Sequence, residues 1–553
     1  MTRITEAALL SVFCLLLYLP GLTTIPPLDR DEARFAQASK QMLETGDFVD
    51  IRFQEKPRYK KPAGPYWLQA ASSAALRPWV GDQIWTYRLP SVLAAMMAVL
   101  LTWEIGRLLF NRRCGLIAGG LLAGSVLLVS EAHQAKSDAV LLATIVAMFW
   151  SLARLRHTAL NPNTTEGRSP SAWLAWVFWA GLGASVMVKG PIGFLVVGLF
   201  LVTLIVSERQ AAWVRPLLHW PAIMLAVLIA LPWYVAITWT SDGAFLAQAI
   251  GKDLAPKLTG GVEAHGAWPG YYTLLTLVMA FPASLFLWPS VLGWRQAWAS
   301  PNVRFLLAWA LPALLVFELI PTKLPHYVLP AYPALMLIAG AALSGAVVPL
   351  SAALRGRSAK IWAILWAMVA GSLGLVGSVI MFRFGGGAGD GPTVWFWATA
   401  SLGAGVLSGF VGLRFVWRQG KPMDLAVTLL AAALMLAILT GGVLPRATDL
   451  QVSKRLAAAA DLHARGEPVA ITGYHEPSAV FLISTDLLLA SPVEAAAHLR
   501  RHPNGLTFVE DNKDIDFRAA VQGFGFEIAE KAIIRGLNYS RGRPVTIRLY
   551  QRR

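Results

Sequence analysis

Charge and cysteine are both scarce in this chain. Charged residues make up 14% of its 553 positions, where soluble domains carry about 25%. That shortage excludes a set of ordinary soluble domains, a disordered chain and a nucleic-acid-binding tail. The two cysteines, Cys14 and Cys114, sit in or beside apolar runs, which excludes a disulfide framework and a cysteine-rich zinc cluster. Residues 445–553 lack a phosphate loop and a nucleophile elbow, and no internal repeat of 20–50 residues is found. Acidic residues are outnumbered, 32 against 48 Lys and Arg, for a formal charge of +16. On an apolar chain that excess points to anionic lipid, with no nucleic acid as partner.

What is abundant is apolar sequence, 56% of the chain. A spanning helix needs about 20 mostly apolar residues. The runs of that kind number thirteen: 6–23, 88–110, 114–131, 137–153, 171–188, 190–206, 217–239, 270–293, 305–320, 327–348, 361–384, 393–416 and 425–444. The first is read as an anchor, because no small-residue cleavage site follows it. The expected fold class is a polytopic α-helical membrane protein. Residues 1–444 form its transmembrane part, with long outer loops at 24–87 and 240–269. In 445–553 charges return and short apolar stretches alternate with helical ones, which predicts a small α/β domain on the outer side.

With the N-terminus inside, the short inner connections hold Arg112 and Arg113, Arg154 and Arg156, Arg209 and Arg215, Arg295 and Arg304, Arg355 and Lys360, and Arg418 and Lys421. The opposite connections are nearly free of positive charge, as the positive-inside rule demands. Exceptions to that pattern mark the candidate site. The 24–87 loop carries Asp29-Arg30-Asp31-Glu32-Ala33-Arg34, three carboxylates within four positions, and then Tyr59-Lys60-Lys61-Pro62. Further outer turns carry Lys136-Ser137-Asp138, Lys189, and Lys323 with His326 and Tyr327; the 240–269 loop adds Asp253, Lys257 and His265.

Each group has two readings. Asp31 and Glu32 can act on a substrate or serve the first turn of an amphipathic surface helix over 31–45. Lys61 and its aromatic neighbours can hold a phosphate or anchor the loop at headgroup depth. Lys189 and Lys323 can bind an anion or snorkel, and Asp138 can cap a helix. His265 can ligate a metal, although a solvated loop histidine is the commoner outcome because zinc sites show three or four ligands. All the candidates share one face of the membrane, which points to an outer site for an anionic, lipid-linked substrate. Lys61, Lys323 and Tyr327, with Lys257, are expected to converge on one anionic pocket. A lipid or ion transporter is the alternative from another class; transporters place their sites near the midplane, whereas these residues lie at outer helix ends.

At the same clusters the chain resembles a family. Asp31-Glu32-Ala33-Arg34-Phe35-Ala36, Met42 to Phe48, Lys61-Pro62, Tyr66-Trp67, Lys189-Gly190, Pro232-Trp233 and Lys323-Leu324-Pro325 are similar to the bacterial branch of the protein mannosyltransferase-like superfamily, membrane glycosyltransferases of the GT-C fold. Length, span count and the Lys-Leu-Pro-x-Tyr turn bring it nearest to the lipid A aminoarabinose transferases. One position departs: the family usually has an acid before the Lys-Pro pair, where this chain has Lys60. The resemblance implies an inverting transfer of 4-amino-4-deoxy-L-arabinose from undecaprenyl phosphate to a phosphate of lipid A, with resistance to polymyxin as its consequence. It also implies a bacterial inner-membrane location, with the site and the C-terminal domain facing the periplasm. Asp31, Asp138 and Glu32 become the catalytic candidates. Lys61, Arg34, Tyr59, Lys189, Asp253, Lys257, Lys323, His326 and Tyr327 become substrate-binding candidates. A divalent metal ion is a possible but unrequired cofactor. Another polyprenyl-linked sugar or a protein acceptor is the alternative within the class.

Overall fold

Lipid offers no partners for backbone N–H and C=O groups, so the apolar runs must pair their own backbone as helices. A computed structural model describes residues 2–161, 172–254, 266–292, 299–347, 354–386, 391–464 and 466–553. Among them eight helices are long and apolar enough to cross a membrane: Ile84–Leu109, Asp138–Leu160, Trp220–Thr240, Pro301–Leu319, Pro325–Leu343, Arg357–Phe384, Gly391–Trp417 and Pro422–Arg446. A ninth is the pair Arg112–Ala123 and Val126–Ala132, bent by 61°. Its break falls at Gly124–Ser125, where the Ser125 hydroxyl accepts from the Leu128 amide and starts the second helix afresh. The remaining expected runs are helical but short or broken. Arg3–Tyr18 has 16 residues, Trp173–Lys189 and Ile192–Glu208 have 17 each, and the 270–293 run splits into Tyr271–Met279 and Ser284–Leu292. All thirteen expected runs are thus helical, and the 17-residue helices fall at the lower end of the length that crosses a bilayer.

Small residues set the helix spacing where lipid gives no hydrophobic drive between helices. A Cβ on Gly374 would stand 2.9 Å from the Gly405 Cα, so Arg357–Phe384 and Gly391–Trp417 meet backbone to backbone. The end of the bundle that carries the N-terminus is tied by ion pairs. Buried Glu6 takes Arg107 at 2.6 Å and Arg112, and Glu208 takes Arg156 at 2.5 Å and Arg304 at 2.9 Å. Arg112, Arg156 and Arg304 belong to the connections expected on the inner side, and Arg107 lies near the end of its span beside them.

The C-terminal part is a five-stranded mixed sheet in the order Leu488–Ala490, Val469–Thr472, Leu506–Glu510, Arg543–Arg552, Ile528–Asn538. The first three strands are parallel and the last two antiparallel to their neighbours. Alternate side chains face opposite sides. Phe508 joins a core with Leu456 and Ile547, while Val509 joins one with Leu499 and Phe517.

This domain grips the first outer loop, whose helix Asp31–Thr45 forms where amphipathicity predicts it. Gln37 donates to Thr485 Oγ1 at 2.8 Å, and Gln54 donates to the Thr485 and Leu487 carbonyls at 3.0 and 2.7 Å. The Tyr539 hydroxyl accepts from the Asp29 amide at 2.6 Å, and the Arg30 guanidinium donates to the Ser540 carbonyl. Arg30 sits at φ 69, a backbone state costly outside glycine, and these contacts hold it there.

The Asp29 carboxylate accepts from the Ser478 hydroxyl. Burial against the domain pushes its pKa up to about 6, with the nearby Glu476 adding to the rise. A carboxyl raised above its unfolded value binds an extra proton in the folded state between the two values, so its contribution to stability falls as pH rises through that window. The window here runs from 3.8 to about 6. Asp29→Asn should gain stability relative to the wild type as pH rises from about 4 to about 7, on the order of 2–3 kcal/mol. Thermal denaturation of both proteins across that range checks it; parallel curves would show that the junction does not perturb Asp29.

Candidate active site

The site is built on an ion pair that the apolar sequence around it hides. Arg88, in the first turns of Ile84–Leu109, and Glu32, in the first turn of Asp31–Thr45, both have side chains 0% exposed. Arg88 Nε and Nη2 donate to Glu32 Oε1 and Oε2 at 2.7 and 3.0 Å. Its remaining N–H groups go to the carbonyls of Leu22, Ile25 and Pro26 at 2.9, 2.7 and 3.0 Å. Glu32 also accepts from the Leu28 amide at 2.8 Å and the Ala135 amide at 2.9 Å. Buried charges survive only when paired and fully hydrogen-bonded, and this pair meets that condition. It fixes the chain before Asp31 and the turn that carries Lys136 and Asp138. Glu32, a catalytic candidate by sequence, thus holds two candidate segments together in the structure.

Asp138 and Lys189 meet because Asp138–Leu160 and Trp173–Lys189 run antiparallel, placing the start of one beside the end of the other. A carboxylate at a helix N-terminus and an ammonium at a C-terminus each suit the helix dipole. Lys189 Nζ donates to Asp138 Oδ1. Gly190, at φ 65, turns the chain sharply after the lysine. Lys136 Nζ pairs with Glu131 Oε1 at 3.0 Å. His326 stands between the two acids, Nδ1 at 4.0 Å from Glu131 and Nε2 at 3.9 Å from Asp138. Burial opposes the charge on Lys136, but Glu131 and Asp138 outweigh it, and Asp31 adds to them, so the ammonium is held above its ordinary pKa. Asp31 itself is exposed at the helix start, so Lys136 lies in the field of both catalytic candidates.

Beside this cluster lies a cavity of about 560 Å³. Lys60, Lys61, Lys189, His326 and Tyr327 are among its polar residues, and Leu195, Phe245, Leu246, Phe317 and Ile320 are among its apolar walls. The Tyr327 ring packs under Lys189, 5.3 Å from Nζ to centroid. Cations at one part of an otherwise greasy cleft suit an anionic head on a hydrocarbon tail.

Of the residues expected to converge, Lys61 and Tyr327 line the same cavity, together with Lys189 and His326. Lys323 does not join them, which corrects the expected convergence. Its ammonium donates to the carbonyls of Phe317, Glu318 and Ile320 at 3.3, 2.6 and 3.0 Å, satisfying the carbonyls left open at the end of Pro301–Leu319. Tyr59 donates to Asp50 at 2.8 Å and packs on Phe245, so it braces a cavity wall from behind; burial and Asp50 push its pKa up to about 12. Arg34 is half-buried one turn beyond Asp31. Asp253 lies on Ala247–Leu254, but its side chain, like Lys257 and His265, lies outside the described residues. Among the described residues the group spaced to hold a metal ion is Glu131, Asp138 and His326, their ligand atoms within 4.8 Å of one another. Both carboxylates there already carry a lysine. Glu131 and Arg88 escaped the sequence reading; the available signal was a charge at the edge of each of two apolar runs.

Fold and site together invite comparison with membrane glycosyltransferases of the GT-C fold, whose architecture the chain shares. Residues 60–235 match the family described as dolichyl-phosphate-mannose-protein mannosyltransferase. The chain is similar to the undecaprenyl phosphate-alpha-4-amino-4-deoxy-L-arabinose arabinosyl transferase of Serratia proteamaculans, 28% identical over 65% of this chain and 62% of that one. It is similar to the Yersinia pestis protein of the same name, 26% identical over 78% and 76%. The match to the Serratia relative thus spans a little under two thirds of its length. Among solved structures, ArnT from Cupriavidus metallidurans bound to undecaprenyl phosphate superposes with a TM-score of 0.74 at 18% identity, covering 98% of this chain and 97% of that one. The expected GT-C architecture is borne out, and it stands close to the aminoarabinose transferases.

Removing one partner of a buried pair leaves the other uncompensated, a loss of about 3–5 kcal/mol. Arg88→Ala and Glu32→Ala should each destabilise by that order, and the double variant by clearly less than the two losses together. Thermal denaturation of the four proteins in detergent checks it. Additive losses would mean that the two side chains do not act as one unit.

Proposed function

We propose that the protein is an inverting glycosyltransferase that moves 4-amino-4-deoxy-L-arabinose from undecaprenyl phosphate to a phosphate of lipid A. The observation that carries this reading is the cavity in which Lys60, Lys61, Lys189, His326 and Tyr327 meet apolar walls, with Asp138 bonded to one of those lysines. The names of the relatives support the choice of sugar and carrier. In this reading residues 1–444 are the transferase unit, 445–553 form a periplasmic domain, and the site opens to the periplasm of the inner membrane.

The chemistry follows from the charges. An oxygen of the acceptor phosphate attacks the anomeric carbon, the bond from that carbon to the donor phosphate oxygen breaks, and undecaprenyl phosphate leaves with the electron pair. Lys61, Lys189 and the Tyr327 hydroxyl stabilise the charge that develops on it. A phosphate monoester has its second pKa near ~6 and is mostly ionised near neutrality, so the acceptor needs positioning more than deprotonation. Asp31 and Asp138 supply that positioning, Asp138 by fixing Lys189 and Asp31 by facing the outer surface beside Lys136. Arg34 adds positive charge on the same helix turn. Capping a lipid A phosphate with a cationic sugar lowers the surface charge that attracts polymyxin and other cationic peptides.

Purified protein with labelled donor and lipid A tests the reading. Lys61→Ala should bind donor about 10- to 100-fold more weakly, the scale of one charge-assisted hydrogen bond. Asp31→Asn and Asp138→Asn should lose most transfer while still binding undecaprenyl phosphate. The wild-type pH profile should follow the acceptor phosphate, not a carboxylate near ~4. Full transfer by both aspartate variants would contradict their assignment, and labelled sugar that never reaches lipid A would contradict the function.

A further inference from the structure

We infer that Glu131 receives the ammonium of the donor's amino sugar, which makes it a specificity-determining residue beside the phosphate-binding lysines; the inference rests on the proposed aminoarabinose donor. Glu131 is near the end of the short helix Val126–Ala132 and is 3% exposed. Its Oε1 takes the Lys136 ammonium at 3.0 Å and faces His326 Nδ1 at 4.0 Å. Its Oε2 is buried and accepts no hydrogen bond within the protein. A buried carboxylate oxygen left without a donor is costly, and such an atom in a candidate site calls for a ligand that brings one.

The surroundings decide what kind of ligand. Glu131, Asp138 and His326 are spaced as metal ligands would be, but Lys136 sits on one carboxylate and Lys189 on the other. A divalent ion would enter a cluster already neutralised and face two fixed ammoniums in a medium that screens them poorly. A primary ammonium adds one charge instead of two and carries N–H groups of its own, which Oε2 lacks. His326 connects this cluster to the donor cavity, since it lines the cavity and also stands between the two acids. In a 4-amino-4-deoxypyranose the amino group lies across the ring from the anomeric carbon. A sugar hanging from a phosphate held by Lys61 and Tyr327 therefore carries its ammonium one ring's width from that phosphate, toward the acids behind His326. A neutral sugar would leave Oε2 without its charged partner, so the same arrangement selects against a donor that lacks the amine.

The test uses two undecaprenyl phosphate donors, one carrying 4-amino-4-deoxy-L-arabinose and the other L-arabinose with a hydroxyl at that carbon. The wild type should prefer the amino donor in kcat/KM by at least about tenfold, the scale of a charge-assisted hydrogen bond. In Glu131→Gln that ratio should collapse toward one, mainly through KM for the amino donor, and Glu131→Asp should keep most of it. Because the ratio is read within one protein, partial loss of folded enzyme cancels. An unchanged ratio in Glu131→Gln would overturn the inference. So would transfer that stops with a chelator and returns with a divalent ion in the wild type but not in Glu131→Gln, which would make the triad a metal site. If Glu131→Gln yields no folded protein, the wild-type ratio and Glu131→Asp decide: no preference for the amino donor overturns the inference, and a preference that Glu131→Asp keeps supports it. A wild type that uses neither donor contradicts the aminoarabinose reading itself.

Discussion

The buried Arg88–Glu32 pair is the constraint on which the site depends. It joins a spanning helix, the loop that leaves the first helix, the start of the surface helix and the turn before Asp138. These segments are far apart in sequence, and several end in exposed or charged residues that would not pack for hydrophobic reasons. An arginine whose N–H groups are all engaged supplies the directional contacts that lipid-facing packing cannot. Replacing the pair with apolar residues could be neutral for stability in principle, but nothing apolar would orient the Ala135 amide and the Leu28 amide at once.

From that anchor the electrostatics divide cleanly. At the end of the bundle that carries the N-terminus, Glu6 and Glu208 pair arginines, and Glu6 also accepts from the Trp103 indole. At the other end the pairs are interleaved, Lys136 with Glu131 and Lys189 with Asp138, and a histidine lies between them. At the first end Glu6 Oε1, ion-paired with Arg112, and Asp424 Oδ2 accept no hydrogen bond, but among the described residues no lysine-lined cavity lies beside them. The second keeps an unsatisfied carboxylate oxygen beside a cavity lined by further lysines, a state that a folded protein keeps at a cost in stability and that an arriving substrate can relieve. The C-terminal domain belongs to this second end, because its contacts hold Arg30 and Asp29 directly before Asp31.

Much of this was legible in the sequence for physical reasons. Every expected apolar run contains a helix, since backbone pairing in lipid leaves no other choice. The lysines at Lys61 and Lys189 stood out because they break the positive-inside pattern, and they do meet in one cavity. Lys323 broke the same pattern for another reason, a helix end that needed its carbonyls satisfied; local sequence does not distinguish a lysine that caps from one that binds. Glu131 and Arg88 were illegible because their meaning lies in partners across the fold, His326 and Glu32, that no spacing along the chain reveals. The bend at Ser125 was not legible, because a serine cap inside an apolar run breaks a helix without changing its composition.

The central claim is that the cavity bounded by Lys61, Lys189 and Tyr327 holds a polyprenyl phosphate. An experimental structure of the protein with undecaprenyl phosphate tests it most directly. The account predicts the phosphate in contact with Lys61 and Tyr327 and the first isoprene units along Phe245, Leu246 and Phe317. A phosphate found elsewhere, for example in the apolar cavity between Tyr272, Leu311 and Leu335, with the Lys61 cavity empty of lipid, would contradict it.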